Sequence, residues 1–484
     1  MDRPLNIVLD IPCQLVGGRD VIVRTGTQRR RVVKRAAEVV YLPPTEVLGV
    51  PPLDTGTGFV LQLPCVEEKL RFRTIPSDNI GILAGESVGT FDQVSAVMSQ
   101  TNTVKYALMT FNEQIDRAIL TTSDERYNNI YKYVNYMNTV ITKMDEATGD
   151  ASRKPALVAE AKVMRAWLHF LAVVIHARQY NDETAATDGG IAYVTSTEVT
   201  EQKTKQTLAE TYKMILADCS DEVISQLPEN HGDQVMRGDR AWGNAVRAMV
   251  LFQMKRYTEA LPYAQEAIRL RPEMFDRSSI KETGEWIQDE TSNNNYLYMG
   301  GSGRVCPTLT MLTLEAGRMF EEGDFVINYE ETGWSLEYGK MFSGIDGVRM
   351  YMGWSTSCNV YGLTSEQLHY VAAECLIRTG KIAEGLALVN AVRQLRIEDC
   401  QPFSASSEQE AMELLQAAKF VEQFGTPFNF FDRKRWNSES TYRKPVTHRL
   451  GTLGTFTLQP GSPLWVMPFP VNAVRYNPTL TQNY

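Results

Sequence analysis

Gly85-Glu86-Ser87-Val88-Gly89 has the G-x-S-x-G spacing of a nucleophile elbow. That chemistry needs a strand leading into the serine, a helix leaving it, and an acid and a histidine later in the chain. Ile80 to Leu83 reads as a short strand, and His169, His176, His231, His369 and His448 all lie downstream. Beyond residue 105 the chain has a helical pattern instead of alternating strand and helix units, so a Gly-Ser loop is the plainer reading. A serine hydrolase using Ser87 is kept as the alternative. Asp54-Thr55-Gly56 has the form of half an aspartic-protease site, but no second D-T/S-G supplies the partner carboxylate. No H-E-x-x-H, EF-hand loop or Cys/His cluster occurs, and Gly300-Gly301-Ser302-Gly303 does not fit a phosphate-cradling loop. The loop Asn181-Asp182-Glu183 to Asp188-Gly189 reads as a solvated acidic turn before it reads as a calcium site. The seven cysteines are odd in number and widely spaced, which argues against a disulfide framework or a zinc site. The expectation is therefore no catalytic set, no cofactor and no metal.

The better candidate for chemistry is aromatic. Residues 275–361 hold thirteen Phe, Tyr or Trp, a density above the 10% of the whole chain. Trp286, Tyr296, Tyr298, Trp334, Tyr338, Tyr351 and Trp354 are interleaved there with Asn293-Asn294-Asn295 and Arg304. Aromatic faces beside amide and guanidinium donors suit sugar rings, which offer apolar C–H faces and hydroxyl edges. The competing reading is that loops over a helical scaffold use aromatics to fill volume. Trp286, Tyr296, Trp334 and Trp354 are the expected ligand-binding residues.

The elements that must position them are helical. Residues from about 105 to 272 and from about 364 to 395 follow helical periodicity, and 273–360 form an irregular insert. A Pro-rich tail runs from 440 to 484. Ala248, Leu251, Tyr257, Ala260, Ala264, Ala267 and Pro272 have the intervals of a tetratricopeptide helix pair. Ala373, Leu376, Ile382, Gly385, Val389 and Val392 repeat those intervals 125 residues on. A third hairpin, Tyr127 to about His176, is less regular. The expected fold is mostly α, with tetratricopeptide-like hairpins as a scaffold, an aromatic-rich insert and few short strands. Residues 1–75 form a separate segment, and 76–484 a single domain. The formal charge of −9 and pI near 5.4 argue against a nucleic-acid binder. No stretch reaches the roughly 20 apolar residues of a membrane span.

Five segments carry a family resemblance. They are Tyr127, Tyr131, Asn138 and Ile141; Ala159-Glu160-Ala161-Lys162 through Arg165-Ala166-Trp167 and Phe170; and Gly190-Ile191-Ala192-Tyr193-Val194. The fourth is Ala373-Glu374-Cys375 through Arg378-Thr379-Gly380-Lys381 with Asn390 and Arg393. The last pairs Leu464-Trp465-Val466-Met467-Pro468 with Asn477-Pro478-Thr479-Leu480-Thr481-Gln482-Asn483. In this order, over about residues 105–484, the chain resembles the SusD/RagB family of Bacteroidetes outer-membrane nutrient-binding lipoproteins. It departs from the family pattern before Phe431-Asp432-Arg433-Lys434-Arg435-Trp436, where Thr426, Pro427 and Asn429 replace the usual E-G-x-R. Residues 1–75 show neither a signal peptide nor a lipobox around Cys13. The resemblance implies a non-catalytic cell-surface protein of the outer membrane. Such a protein captures glycans, or peptides in some members, for import through a SusC-like TonB-dependent transporter. A tetratricopeptide peptide-binding scaffold is the further alternative.

Overall fold

The computed structural model describes residues 24–25, 28–29, 78–88, 91–198, 200–232, 234–283, 296–298, 302–304, 311–328, 332–352 and 357–484. The chain divides into two units, Met1–Phe59 and Val60–Tyr484. In the first, Arg24–Thr25 pairs antiparallel with Gln28–Arg29. Most of the 1–75 segment lies outside the described residues.

The second unit is mostly helical, as its sequence pattern requires. Its main helices are α1 (Asp78–Ala84), α2 (Glu125–Lys143), α3 (Lys154–His176), α4 (Leu208–Asp218), α5 (Arg240–Gln253) and α6 (Tyr257–Leu270). They continue as α7 (Leu336–Ser343), α8 (Ser365–Arg378), α9 (Ile382–Arg393), α10 (Glu408–Glu422) and α11 (Phe428–Asn437). Capping chemistry sets their starts. Asp124 accepts from the Tyr127 amide ahead of α2, and Asp239 accepts from the Trp242 amide ahead of α5. Thr207 with Glu210 and Thr364 with Gln367 form reciprocal capping boxes ahead of α4 and α8.

Helix α3 is apolar around most of its circumference from Leu157 onward, so it must run through the core. Helices α2, α4 and α5 pack against it. The two repeat copies form the hairpins α5–α6 and α8–α9, and α6 packs on α8. Their turns share a device. Lys255 and Gly380, 125 positions apart, both take left-handed backbone, at φ 63° and 85°. A side chain pays for that conformation in one copy and glycine adopts it freely in the other. Ala260, on α6, is fully buried. A Cβ on Gly385 would lie 2.6 Å from Ile377 Cγ1 and 2.7 Å from the Ala373 carbonyl, so α9 touches α8 backbone to backbone there.

One expectation is corrected, and one unassigned region is filled. Ile80 to Leu83 belong to helix α1, not to a strand; a short apolar run carries no period that separates the two. Helices α10 and α11 fill a region between the second repeat and the tail that carries no assignment from periodicity. Their inward faces include Lys419, Asp432, Lys434 and Arg435, which hide the apolar stripe.

The strands are short. A four-stranded antiparallel sheet orders Ser87–Val88, Met311–Leu312, Met350–Tyr351 and Trp334–Ser335, and the remaining sheets are pairs. The C-terminal tail folds back on the core helix. Met467 donates its amide to the Ile175 carbonyl at 2.9 Å, and Asn483 Nδ2 donates to the carbonyls of His176 and Gly190 at 2.8 and 2.9 Å.

Candidate functional site

The four-stranded sheet seats the one helix that stands out in the insert. Ser335 ends a strand and caps α7 by accepting from the Tyr338 amide, and Gly344 closes the helix at φ 70°. Gly339 and Ser343, one turn apart, are buried on its inner face. A Cβ on Gly339 would meet the Val348 carbonyl at 2.1 Å, so only glycine lets α7 lie this close to the adjoining chain. With small residues inward, the large ones must face outward. Leu336, Tyr338, Met341 and Phe342 are 46, 41, 60 and 37% exposed. The Tyr338 and Phe342 rings, four residues apart, stack at 6.4 Å between centroids with 23° between planes. Met352, also exposed, donates its amide to the Gly333 carbonyl just before α7 begins. An ion pair of Lys340 with Asp346 at 3.0 Å adds polar groups on the same short segment. Exposed apolar area of this kind costs solubility unless something covers it.

The four expected ligand residues fall differently. Trp286 and Trp354 lie outside the described residues. Tyr296 opens the strand Tyr296–Tyr298, opposite Thr364. Trp334 is 5% exposed, tilted on Tyr351 at 5.3 Å and edge-on to Phe424 at 5.9 Å. Its ring is occupied by protein on its faces, so the volume-filling reading holds for this residue. Tyr338, one of the interleaved aromatics, is open instead. The signal that would have found its partnership with Phe342 is the spacing of four, which is broken up in the sequence by Gly333, Gly339 and Gly344.

Ser87 does not stand on an elbow. Helix α1 precedes it and the serine is paired with Leu312 within a strand, whereas an elbow needs a strand leading into the serine and a sharp turn at it. Its neighbour Glu86 is buried and accepts from Asn429 Nδ2 at 2.7 Å and the Gly425 amide at 3.3 Å. Burial nevertheless dominates and pushes the Glu86 carboxyl up to about 8. Asn429, at the departure from the family pattern, thus meets a carboxyl group as an amide donor. Four histidines are buried against main-chain oxygens: His169 on Arg165, His176 on Met467, His369 on Ser365, and His448 on Met109 and Ile82. His169 Nε2 accepts from the Val194 amide, so Nδ1 carries the proton and the ring is neutral; burial lowers its pKa to about 3. Among the described residues no group of three His, Cys, Asp or Glu is placed to hold a metal.

The motif residues do structural work. Arg435 makes paired hydrogen bonds of 2.6 and 2.8 Å to Glu374, and a third of 2.8 Å to Asp432. Trp436 Nε1 also donates to Glu374, at 2.9 Å, and Lys419 pairs with Asp432 at 2.9 Å. Glu160 accepts from Arg237 and the Gly238 amide. Arg165 grips Asp218 with two bonds and Asn138 with one. Asn138 and Tyr131 in turn donate to the carbonyls of Val194 and Ala192 in the Gly190–Val194 segment.

Residues 78–245 match the family model SusD-like, described as starch-binding associating with outer membrane. No curated protein matches the chain. Among solved structures, a SusD superfamily protein from Bacteroides thetaiotaomicron is similar with a TM-score of 0.64 at 14% identity, over 88% of this chain and 100% of its own. One from Bacteroides vulgatus has a TM-score of 0.65 at 13% identity, over 87% and 99%. Surface glycan-binding protein A from Bacteroides uniformis has a TM-score of 0.63 at 16% identity, over 84% and 93%. Among the described residues no helix is long and apolar enough to cross a membrane. The matched segment, residues 78–245, lies inside a fold similar to that of these SusD superfamily structures, and the residues that carry the resemblance tie its helices together.

Proposed function

We propose that this protein is a non-catalytic carbohydrate-binding subunit that captures oligosaccharides at the outer-membrane surface and passes them to a SusC-like TonB-dependent transporter. The observation that carries the binding step is the exposed Tyr338–Phe342 stack on α7, with Leu336 and Met341 beside it. Stacked rings offer a pyranose a flat apolar surface, and about 100 Å² removed from water is worth about 2.5 kcal/mol before ordering costs. A site of that kind supports roughly micromolar to millimolar binding. Trp286, Tyr296 and Trp354 belong to the same insert and are proposed as further ligand contacts. The membrane location and the transporter partner rest on the family resemblance. The family model's description, associating with outer membrane, supports the location.

A glycan array with the purified protein tests the reading, run beside a covalent serine-hydrolase probe. Binding to an oligosaccharide class, with no labelling of Ser87, is the expected result. Labelling that disappears in Ser87→Ala would establish the hydrolase alternative, and binding of peptides but no glycan would favour the helical scaffold as a peptide binder.

A further inference from the structure

A pocket of about 80 Å³ lies between α10 and α11, with no residue of α7 on its lining. Gln416, Phe420, Arg433, Trp436, Asn437 and Lys444 line it. Its polar groups are incompletely paired. The Arg433 guanidinium makes no hydrogen bond or ion pair among the described residues; its contacts are the Phe420 ring, 4.8 Å from the guanidinium carbon, and the electrostatic influence of Glu86. Glu86 offers little compensation near neutral pH, because burial keeps its carboxyl largely protonated. Gln416 is 7% exposed; its Nε2 donates to the Tyr442 carbonyl while Oε1 has no partner. Asn437 is 8% exposed; its Oδ1 accepts from the Lys444 amide while Nδ2 has no partner. The Arg433 cation, one amide donor and one amide acceptor therefore share a small space walled by aromatic rings, with Lys444 and Glu413 also on its lining. Native proteins rarely leave buried polar atoms unpaired in this way. Neighbouring cations of the same sequence motif behave differently: Arg435 bonds to Glu374 and Asp432 through both terminal nitrogens, and Lys434 donates to the carbonyls of Val174 and Ala177.

We propose that this pocket binds a small monocarboxylate whose neighbouring carbon bears a hydrogen-bond donor, an α-hydroxy or α-amino acid. The carboxylate pairs with Arg433 and takes the Asn437 Nδ2–H, and the adjacent hydroxyl or ammonium donates to Gln416 Oε1. Phe420 and Trp436 cover the carbon skeleton. A dianionic phosphate fits less well, because its second negative charge meets the Glu413 carboxylate, which also lines the pocket, and its tetrahedral oxygens leave no apolar skeleton for Phe420 and Trp436 to cover. The volume exceeds the 10–15 Å³ or so that one water needs, and suits a molecule of a few heavy atoms.

Isothermal titration of the full chain with lactate, acetate, lactamide and inorganic phosphate tests this. Lactate is expected to bind with a millimolar Kd, acetate several-fold more weakly, and lactamide not measurably. Arg433→Gln should weaken lactate tenfold or more. Asn437→Asp keeps the oxygen that caps Lys444 but sets a carboxylate against the ligand, and it should weaken lactate to a similar degree. Should Arg433→Gln fail to fold by circular dichroism, Asn437→Asp decides. Equal binding of lactate and lactamide, tighter binding of phosphate, no binding of lactate, or unchanged affinity in a folded variant would overturn the proposal. None of these results depends on whether the α7 face binds glycans.

Discussion

The junction of α8 with α11 and the insert helix α7 are built on opposite plans. At the junction, charged side chains face inward: Glu374, Lys419, Asp432 and Arg435 are nearly inaccessible and bonded to one another. On α7, apolar side chains face outward while glycine and serine face the protein. The first arrangement is costly to desolvate and is held only because each charge meets a partner of good geometry. The second leaves apolar area in water for which the fold itself has no use. In this chain the residues that carry the family resemblance hold helices together, and the residues available to a ligand carry no recognisable motif.

The largest effect should come from breaking the buried network. Glu374→Ala strands the Arg435 guanidinium and unpairs Trp436 Nε1, and it should cost about 3–5 kcal/mol in urea unfolding. A loss below about 1 kcal/mol would mean the network is ornamental. Gly385→Ala comes next. The new methyl group meets Ile377 and the Ala373 carbonyl inside contact distance, so overpacking should cost about 1–3 kcal/mol. An unchanged melting temperature would show that α9 does not touch α8 at this position.

Glu86 sharpens the comparison through pH. Its carboxyl ionises near 8 in the folded chain and near 4.5 when unfolded, so its contribution is full below the unfolded value and is lost as pH rises through 8. Glu86→Gln cannot lose that contribution. From pH 6.5 to 8 the variant should therefore gain on the parent by up to about 2 kcal/mol, at about 1.4 kcal/mol per pH unit. Parallel stability curves for the two proteins across this window would contradict a protonated Glu86.

How much of this was legible in the sequence differs between the same two regions. The hairpins α5–α6 and α8–α9 were readable because small residues recur at fixed intervals, and those small residues are buried. Glu374 and Arg435 were readable as motif residues, but their pairing was not, since 61 positions separate them and only tertiary packing brings them together. Helix α11 was not readable as a helix, because its inward Arg435, Lys434 and Asp432 look like a solvated charge run until their partners are known. The insert drew attention through its aromatic content, yet composition could not tell a ring packed inside, such as Trp334, from one left outside, such as Tyr338. That distinction depends on Gly339, whose missing side chain turns the helix so that the rings face solvent.

The most direct test combines binding and stability in one variant. Tyr338→Ala/Phe342→Ala removes two exposed rings, so urea unfolding should change by no more than about 0.5 kcal/mol. Titration with the oligosaccharide selected by the glycan array should show affinity falling tenfold or more, about 1.4 kcal/mol. That pairing of a lost ligand with an intact fold is the predicted result. Parental affinity in the folded double variant would contradict the account and move the binding face away from α7.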